Sequence, residues 1–244
     1  MPELSVITPL YNEEGSLKLL FSSLKNVMDK LGQQYEIIFV NDCSKDKTLE
    51  VLLGPDLKSP NLVIVNLLRH YGQSQAMQAG FDIARGEIII TLDGDLQNDP
   101  ADIPKLLSKL NEGYDVVCGW RYPRKDNWLR RISSKVAYTA RRIVAKEKVH
   151  DVGCTLRVFK KSVLKNVYLS KGMHRFYTLI MLKLGYNITE EKVNHCPRRF
   201  GKSKYNIRNR LLEGIINLIR LSLCDIHDLM KPRLNYEIKE VIRR

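Results

Sequence analysis

Short apolar runs alternate with helical stripes through the first half of the chain. The runs Leu4 to Leu10, Glu36 to Asn41, Leu62 to Leu67, Glu87 to Leu92 and Asp115 to Gly119 are five to seven residues long and rich in Val, Ile and Leu. That is the pattern of strands buried on both faces, as in a parallel sheet covered by helices. Between the first two runs, Leu17, Leu20, Phe21, Leu24, Val27, Met28 and Leu31 recur every three or four residues, which predicts an amphipathic helix whose apolar stripe is core. Further helices are predicted over Asp46 to Leu53, Ser74 to Arg85 and Pro104 to Leu110. Alternation of this kind points to an α/β fold, Rossmann-like, with a mostly parallel sheet flanked by helices.

The second half reads differently. Residues 121 to 148 are basic and helical in pattern from about Trp128; turn or strand is expected over Val149 to Phe159, a helix over Arg175 to Leu184 and a strand over Ile188 to Val193. A long amphipathic helix follows from about Ile207 to Met230, with Ile207, Leu211, Ile215, Leu218 and Leu221 on one stripe. The chain therefore divides into a main α/β unit at 1–205 and an amphipathic helical extension at 206–244, suited to a membrane surface or to contact with a second copy. At 244 residues, one large core is within reach.

Net charge changes this picture once it is divided along the chain. Residues 1–120 hold 10 Lys and Arg against 17 Asp and Glu, whereas residues 121–244 hold 30 against 10. A basic half of that size suits a polyanionic partner: phosphate groups, an anionic membrane or nucleic acid. A solvated basic surface is the lesser alternative. The five cysteines (Cys43, Cys118, Cys154, Cys196, Cys224) are odd in number and scattered, so neither a disulfide framework nor a zinc site is indicated, and a reducing cytoplasm fits. Met1-Pro2-Glu3-Leu4 lacks the charged and apolar regions of a signal peptide, and no apolar stretch approaches the roughly 20 residues of a spanning helix. The expected location is the cytoplasmic face of a membrane, held peripherally.

Candidate chemistry gathers just after the predicted strands, where open α/β sheets bind their ligands. The apolar run Ile88 to Leu92 leads into Asp93-Gly94-Asp95-Leu96-Gln97. Two carboxylates one glycine apart at the end of a buried strand repel each other unless a cation neutralises them. Mg²⁺ or Mn²⁺ would take both and complete its shell with water and substrate phosphates, so a diphosphate is the expected ligand. Alone, Asp-x-Asp is also what a turn or a helix cap looks like. The first strand ends in Pro9-Leu10-Tyr11-Asn12-Glu13-Glu14 and the second in Val40-Asn41-Asp42-Cys43-Ser44-Lys45-Asp46-Lys47-Thr48, both carrying acceptors that suit a nucleoside and also suit ordinary capping. No Gly-x-Gly-x-x-Gly follows the first strand, which argues against a dinucleotide oxidoreductase.

Taken in order, these segments with Arg69-His70-Tyr71-Gly72, Ala76 and Ala79-Gly80 resemble the family 2 glycosyltransferases over about the first 120 residues. Gly119-Trp120-Arg121, Asp151-Val152-Gly153-Cys154 with Arg157, and Arg199-Phe200-Gly201-Lys202-Ser203-Lys204-Tyr205 further resemble the branch that glycosylates polyprenyl phosphates, which includes dolichyl-phosphate mannosyltransferase and undecaprenyl-phosphate glycosyltransferases. The resemblance implies a GT-A fold with a nucleotide-diphosphate sugar as donor. Pro9, Tyr11, Glu13 and Asp42 would hold the nucleoside, and Asp93, Asp95 and Gln97 the metal and diphosphate. Arg121 and Arg131 would face the acceptor phosphate, Arg199, Ser203 and Lys204 would hold phosphates from the far side, and Asp151 matches a position proposed as catalytic base. Asn41 stands where Asp is common, and Cys43 where Gly is common. The branch often carries C-terminal transmembrane helices, for which no stretch of this sequence is apolar enough.

The implied reaction is inverting attack of a phosphate on the anomeric carbon, with Asp95, Asp151, Arg121 and Arg131 the candidate catalytic residues. A phosphate monoester, with its second pKa near ~6, is already a nucleophile at neutral pH and needs no strong base. Asp151 is then as well placed to orient an arginine, or to be an ordinary turn residue. An acceptor hydroxyl on a saccharide or protein would instead need a base, with Asp151 the leading candidate. An RNA-binding module is the reading from another class; the basic residues lack interleaved aromatics for base stacking, and no nucleic-acid partner is expected. The five dispersed histidines read as structural, and the His195 to Tyr205 segment as a basic lid over phosphates.

Overall fold

The computed structural model describes residues 1–122, 149–165, 167–168, 172–197, 200 and 236–244. The expected helix from Trp128, the amphipathic helix over 207–230, and the candidates Arg131, Arg199, Ser203 and Lys204 lie outside them.

Eight strands form one sheet: β1 (Leu4–Leu10), β2 (Tyr35–Asn41), β3 (Leu62–Leu67), β4 (Ile88–Thr91), β5 (Val116–Arg121), β6 (Arg157–Lys160), β7 (Ile188–Val193) and β8 (Ile238–Arg243), in the order β7-β5-β6-β4-β1-β2-β3-β8. β1 to β4 are mutually parallel, with Leu4 against Tyr35 and Ile88, and β5 is parallel to β7. β6 runs antiparallel between β4 and β5. β1, β2 and β3 are buried along nearly their whole length, because helices cover both faces.

Side-chain alternation along β1 sorts the core into two layers. Leu4, Val6 and Leu10 pack with α1 (Leu17–Leu31), α2 (Thr48–Leu53) and α4 (Ile103–Leu110), while Ile7 packs on the other face with α3 (Gln73–Ile83) and α5 (Tyr177–Lys183). α1 buries Leu17, Leu20, Phe21, Leu24 and Met28, each contributing about 1.5–3 kcal/mol by leaving water. It ends at Gly32, whose left-handed φ of 69° turns the chain back toward β2. α3 lies so close over β1 that a Cβ on Gly80 would come 2.4 Å from Ile7 Cγ2.

One expectation changes at the C-terminal end. Residues 238–243, anticipated within a helical extension, form β8 and pair antiparallel with the edge strand β3. Ile238, Val241 and Ile242 do not alternate with the charged residues at a two-residue period; backbone pairing with β3 makes this segment a strand that covers the sheet edge. Arg243 reaches buried Glu36 at 3.2 Å, and Arg244 donates to the Gly54 and Leu53 carbonyls.

Candidate active site

The loops after β1 and β2 interlock through their polar side chains. Asn12 N–H donates to Ser44 Oγ (3.0 Å) and Lys45 N–H to Asn12 Oδ1 (2.7 Å). Glu13 N–H donates to Thr48 Oγ1 (2.8 Å), Lys47 N–H to Glu14 Oε2 (2.8 Å) and Glu14 N–H to Asp46 Oδ2 (3.2 Å). Much of the polarity that marked these strand ends in sequence therefore builds the loops themselves. Three non-glycine residues adopt left-handed backbone here: Asn12 (φ 54°), Cys43 (φ 55°) and Leu96 (φ 61°), one in each strand-end loop. Such strain clusters at ligand sites, and at Cys43 it accounts for the family's preference for glycine. Asn41 is explained as well: its Oδ1 accepts Ser44 N–H (3.2 Å) while its Nδ2 donates to Asn66 Oδ1 (2.8 Å), and Asn66 Nδ2 donates to Glu240 of β8 (3.1 Å). An aspartate could accept but not donate.

Asp42, 2% exposed, organises the next loop. Its two oxygens accept Tyr71 N–H (2.7 Å) and Gly72 N–H (2.8 Å), and His70 Nδ1 lies 2.8 Å from Oδ2. Burial raises the Asp42 pKa, and the opposing N–H and His70 contacts only partly offset it. His70 also stacks on Tyr11 at 4.0 Å between centroids and 24° between planes. The structure thus joins Tyr11, Asp42 and His70 at the ends of three adjacent strands. His70 was read as structural in sequence; its place in Arg69-His70-Tyr71-Gly72, three positions before the first residue of α3, was the signal that could have singled it out. Pro9 sits within β1 opposite Val40.

The acidic turn closes against this platform. Gly94 is required for the approach, since a Cβ there would lie 2.5 Å from Leu10 Cδ2 and 3.5 Å from Glu13 Cγ. Asp93 Oδ1 accepts Gln73 Nε2 at the first turn of α3 (2.7 Å), and Asp95, 6% exposed, accepts Gln97 N–H (3.1 Å). Burial, and next the neighbouring Asp95 charge, push the Asp93 carboxyl up to about 6. No group of three or more His, Cys, Asp or Glu among the described residues forms a ready-made metal cage. Two hard carboxylate ligands whose mutual repulsion a cation would relieve nevertheless fit Mg²⁺ or Mn²⁺, which complete their shells with water and phosphate oxygens.

Positive charge comes from β5 and β6. Arg121 grips Asp151 in a two-pronged ion pair, Nε to Oδ2 at 2.7 Å and Nη2 to Oδ1 at 2.9 Å, with only 15% and 3% of the two side chains exposed. Buried Arg157 donates to the His174 (3.1 Å) and Val152 (2.7 Å) carbonyls, and its Nε has no hydrogen-bond partner among the described residues. Both guanidiniums work to lower the Asp93 pKa, against the larger effect of burial. Cys154 is inert, its thiol pushed up to about 12 by burial. His195 bridges to Asn98 and Cys196 N–H donates to the Gln97 carbonyl (3.1 Å), while Phe200 lies against Gly15. The expected lid segment therefore begins at the acidic turn and reaches the β1 loop.

Carboxylates at the strand ends, with the Arg121 and Arg157 guanidiniums close enough to act on Asp93, suit a nucleotide-sugar donor, and comparison with known proteins points the same way. The chain belongs to glycosyl transferase family 2, whose family model matches residues 5–168. It is similar to the dodecaprenyl-phosphate galacturonate synthase of Rhizobium johnstonii (41% identity over 225 residues, 89% of this chain and 65% of the relative). It is similar, too, to the undecaprenyl-phosphate 4-deoxy-4-formamido-L-arabinose transferase of Aeromonas hydrophila (35% over 218 residues, 89% and 64%). The chain spans just under two thirds of the length of these curated relatives. Among solved structures it resembles glucosyl-3-phosphoglycerate synthase of Mycobacterium tuberculosis in complex with Mn²⁺, uridine diphosphate and phosphoglyceric acid, with a TM-score of 0.73 at 17% identity over 92% of this chain and 80% of that one. The fold is of the GT-A type, as the resemblance implied.

Proposed function

We propose that this chain moves a sugar from a uridine- or guanosine-diphosphate sugar to a polyprenyl phosphate, with inversion and with the help of a divalent cation. The observation that carries this reading is the ion pair between Arg121 and Asp151. A carboxylate held on both oxygens by a guanidinium is a poor proton acceptor, which weighs against a hydroxyl acceptor that needs a base. A phosphate acceptor needs none at neutral pH. The printed names of the relatives at 35% and 41% identity point to the same acceptor class.

In this reading the chain's main task is to manage charge. The acceptor phosphate approaches a donor already carrying two phosphates, so preorganised cations supply most of the rate. Arg121, aimed by Asp151, meets the acceptor phosphate together with Arg131, and the arginine fork suits phosphate better than lysine would. Pro9, Tyr11, Glu13 and Asp42 line the nucleoside side, where Asp42 acts chiefly by holding the backbone of 70–72. Arg199, Ser203 and Lys204 belong to the segment that closes over the diphosphate, alongside Gln97. Asp93 and Asp95 would hold Mg²⁺ or Mn²⁺, which when bound neutralises the charge that builds on the leaving diphosphate. The basic second half and the 206–235 segment would keep the enzyme peripheral on the cytoplasmic face of a membrane; no helix among the described residues is long and apolar enough to cross one.

A thermal-shift screen of uridine- and guanosine-diphosphate sugars, each with and without Mn²⁺, tests the donor side. Ligands that bind only the native state raise its unfolding temperature. One nucleotide series will stabilise the chain in a Mn²⁺-dependent manner that Asp95→Asn abolishes; no stabilisation by any nucleotide sugar would overturn the proposal.

A further inference from the structure

One carboxylate outside the residues assigned above secures the loop that carries Asp151. Glu190 lies in β7 opposite Cys118 of β5, three positions before Arg121. Its Oε1 accepts the backbone N–H of His150 (2.8 Å) and of Asp151 (3.1 Å), and its Oε2 lies 2.8 Å from His150 Nδ1. Its side chain is only 12% exposed, against 47% for His150. His150 in turn stacks on Trp120, the residue before Arg121, at 4.4 Å between centroids and 12° between planes.

Two consecutive residues are thereby pinned to β5 and β7 at once. His150 packs on Trp120, Asp151 forks onto Arg121, and Glu190 holds the backbone of both. Residues 151–156 contain no helix or strand of their own, so the direction of the Asp151 carboxylate depends on such outside contacts. Both Arg121 hydrogen bonds need that direction, because a planar fork tolerates little misalignment. The β5–β7 ladder itself is made by backbone groups and does not need an acid at position 190.

We infer that Glu190 is a positioning residue for the acceptor phosphate, acting through Asp151 to aim the Arg121 guanidinium. This rests on the proposed reading of Arg121 as the acceptor-phosphate arginine. Glu190 touches no reacting atom; it removes angular freedom from a cation that must meet phosphate at a set place.

The test is a double-mutant cycle on the full chain, with geranyl phosphate as a short isoprenyl phosphate probe titrated by calorimetry. Glu190→Ala strips two backbone N–H groups of a charged acceptor and will weaken binding about tenfold. Glu190→Gln keeps an oxygen that accepts both N–H groups and will stay within about threefold of wild type. Arg121→Ala will weaken binding too, and adding Glu190→Ala to it will cost almost nothing further, as expected for residues acting in series. A full additional loss in the Arg121→Ala background, or wild-type affinity in Glu190→Ala, overturns the inference alone. Failure of the wild-type chain to bind geranyl phosphate overturns the acceptor reading and this inference with it. A Glu190→Ala variant that fails to fold leaves Glu190→Gln to decide through Glu190→Lys, which can accept neither N–H: equal affinity of the Gln and Lys variants also contradicts the inference.

Discussion

Acidification will weaken divalent metal binding at the acidic turn well above the pH at which ordinary carboxylates titrate. Asp93 is pushed up to about 6, first by burial and then by Asp95. It is therefore about 97% ionised at pH 7.5 and about 10% ionised at pH 5. A metal that needs this carboxylate charged will bind about tenfold more weakly at pH 5, equivalent to about 1.4 kcal/mol. The metal-free chain shows the opposite dependence. A folded-state pKa above the unfolded value of about 3.8 contributes stability that is complete below pH ~4 and is lost as pH rises through ~6. Over that window the loss is at most on the order of 3 kcal/mol, reduced by the partial exposure of Asp93. The assay is thermal unfolding against Mn²⁺ alone at pH 5, 6 and 7.5, since a nucleotide's terminal phosphate itself titrates near ~6. Equal Mn²⁺ affinity at pH 5 and 7.5, or a pH dependence that survives in Asp93→Asn, would refute the argument.

Three substitutions extend the account. Asp42→Asn leaves one of the Tyr71 and Gly72 N–H groups facing an amide N–H, and urea denaturation will show a loss of about 2 kcal/mol, the value of a hydrogen bond to a charged acceptor; a change below about 0.5 kcal/mol would contradict it. Gly80→Ala sets about 1 kcal/mol of helix propensity against the contact at 2.4 Å to Ile7, and overpacking at about 1–3 kcal/mol wins, so the variant unfolds at lower urea concentration; an unchanged or higher midpoint would contradict it. Asp151→Asn breaks the buried pair with Arg121, lowers stability by about 3 kcal/mol and raises the KM for lipid phosphate at least tenfold while leaving the acidic limb of the rate profile in place; disappearance of that limb would restore Asp151 as a base.

Strands and helices of the first 120 residues were legible because each carries its own period: β3 spans Leu62–Leu67 as expected, and α1 begins and ends with its apolar stripe. The strand ends were legible as a candidate site for the same reason, since polar residues there follow apolar runs directly. What could not be read locally were the long-range pairs. Asp42 points at the next loop, at 70–72, and Asp151 at Arg121 thirty residues earlier; only the folded sheet brings them together. β8 was missed because Ile238, Val241 and Ile242, three and four residues apart, look like a continuation of the preceding helical stripe. This chain's departure from the family at 41, and the family's preference for glycine at 43, became intelligible only with the Asn66 contact and the left-handed φ of Cys43.

The central claim, sugar transfer to a lipid phosphate, is met most directly by incubating the full chain with Mn²⁺, polyprenyl phosphate and radiolabelled uridine- and guanosine-diphosphate sugars, then counting label extracted into organic solvent. The account predicts organic-phase label with one nucleotide series, dependent on the lipid phosphate and lost in Asp95→Asn. Label appearing only in water-soluble saccharide, with or without the lipid, would contradict it.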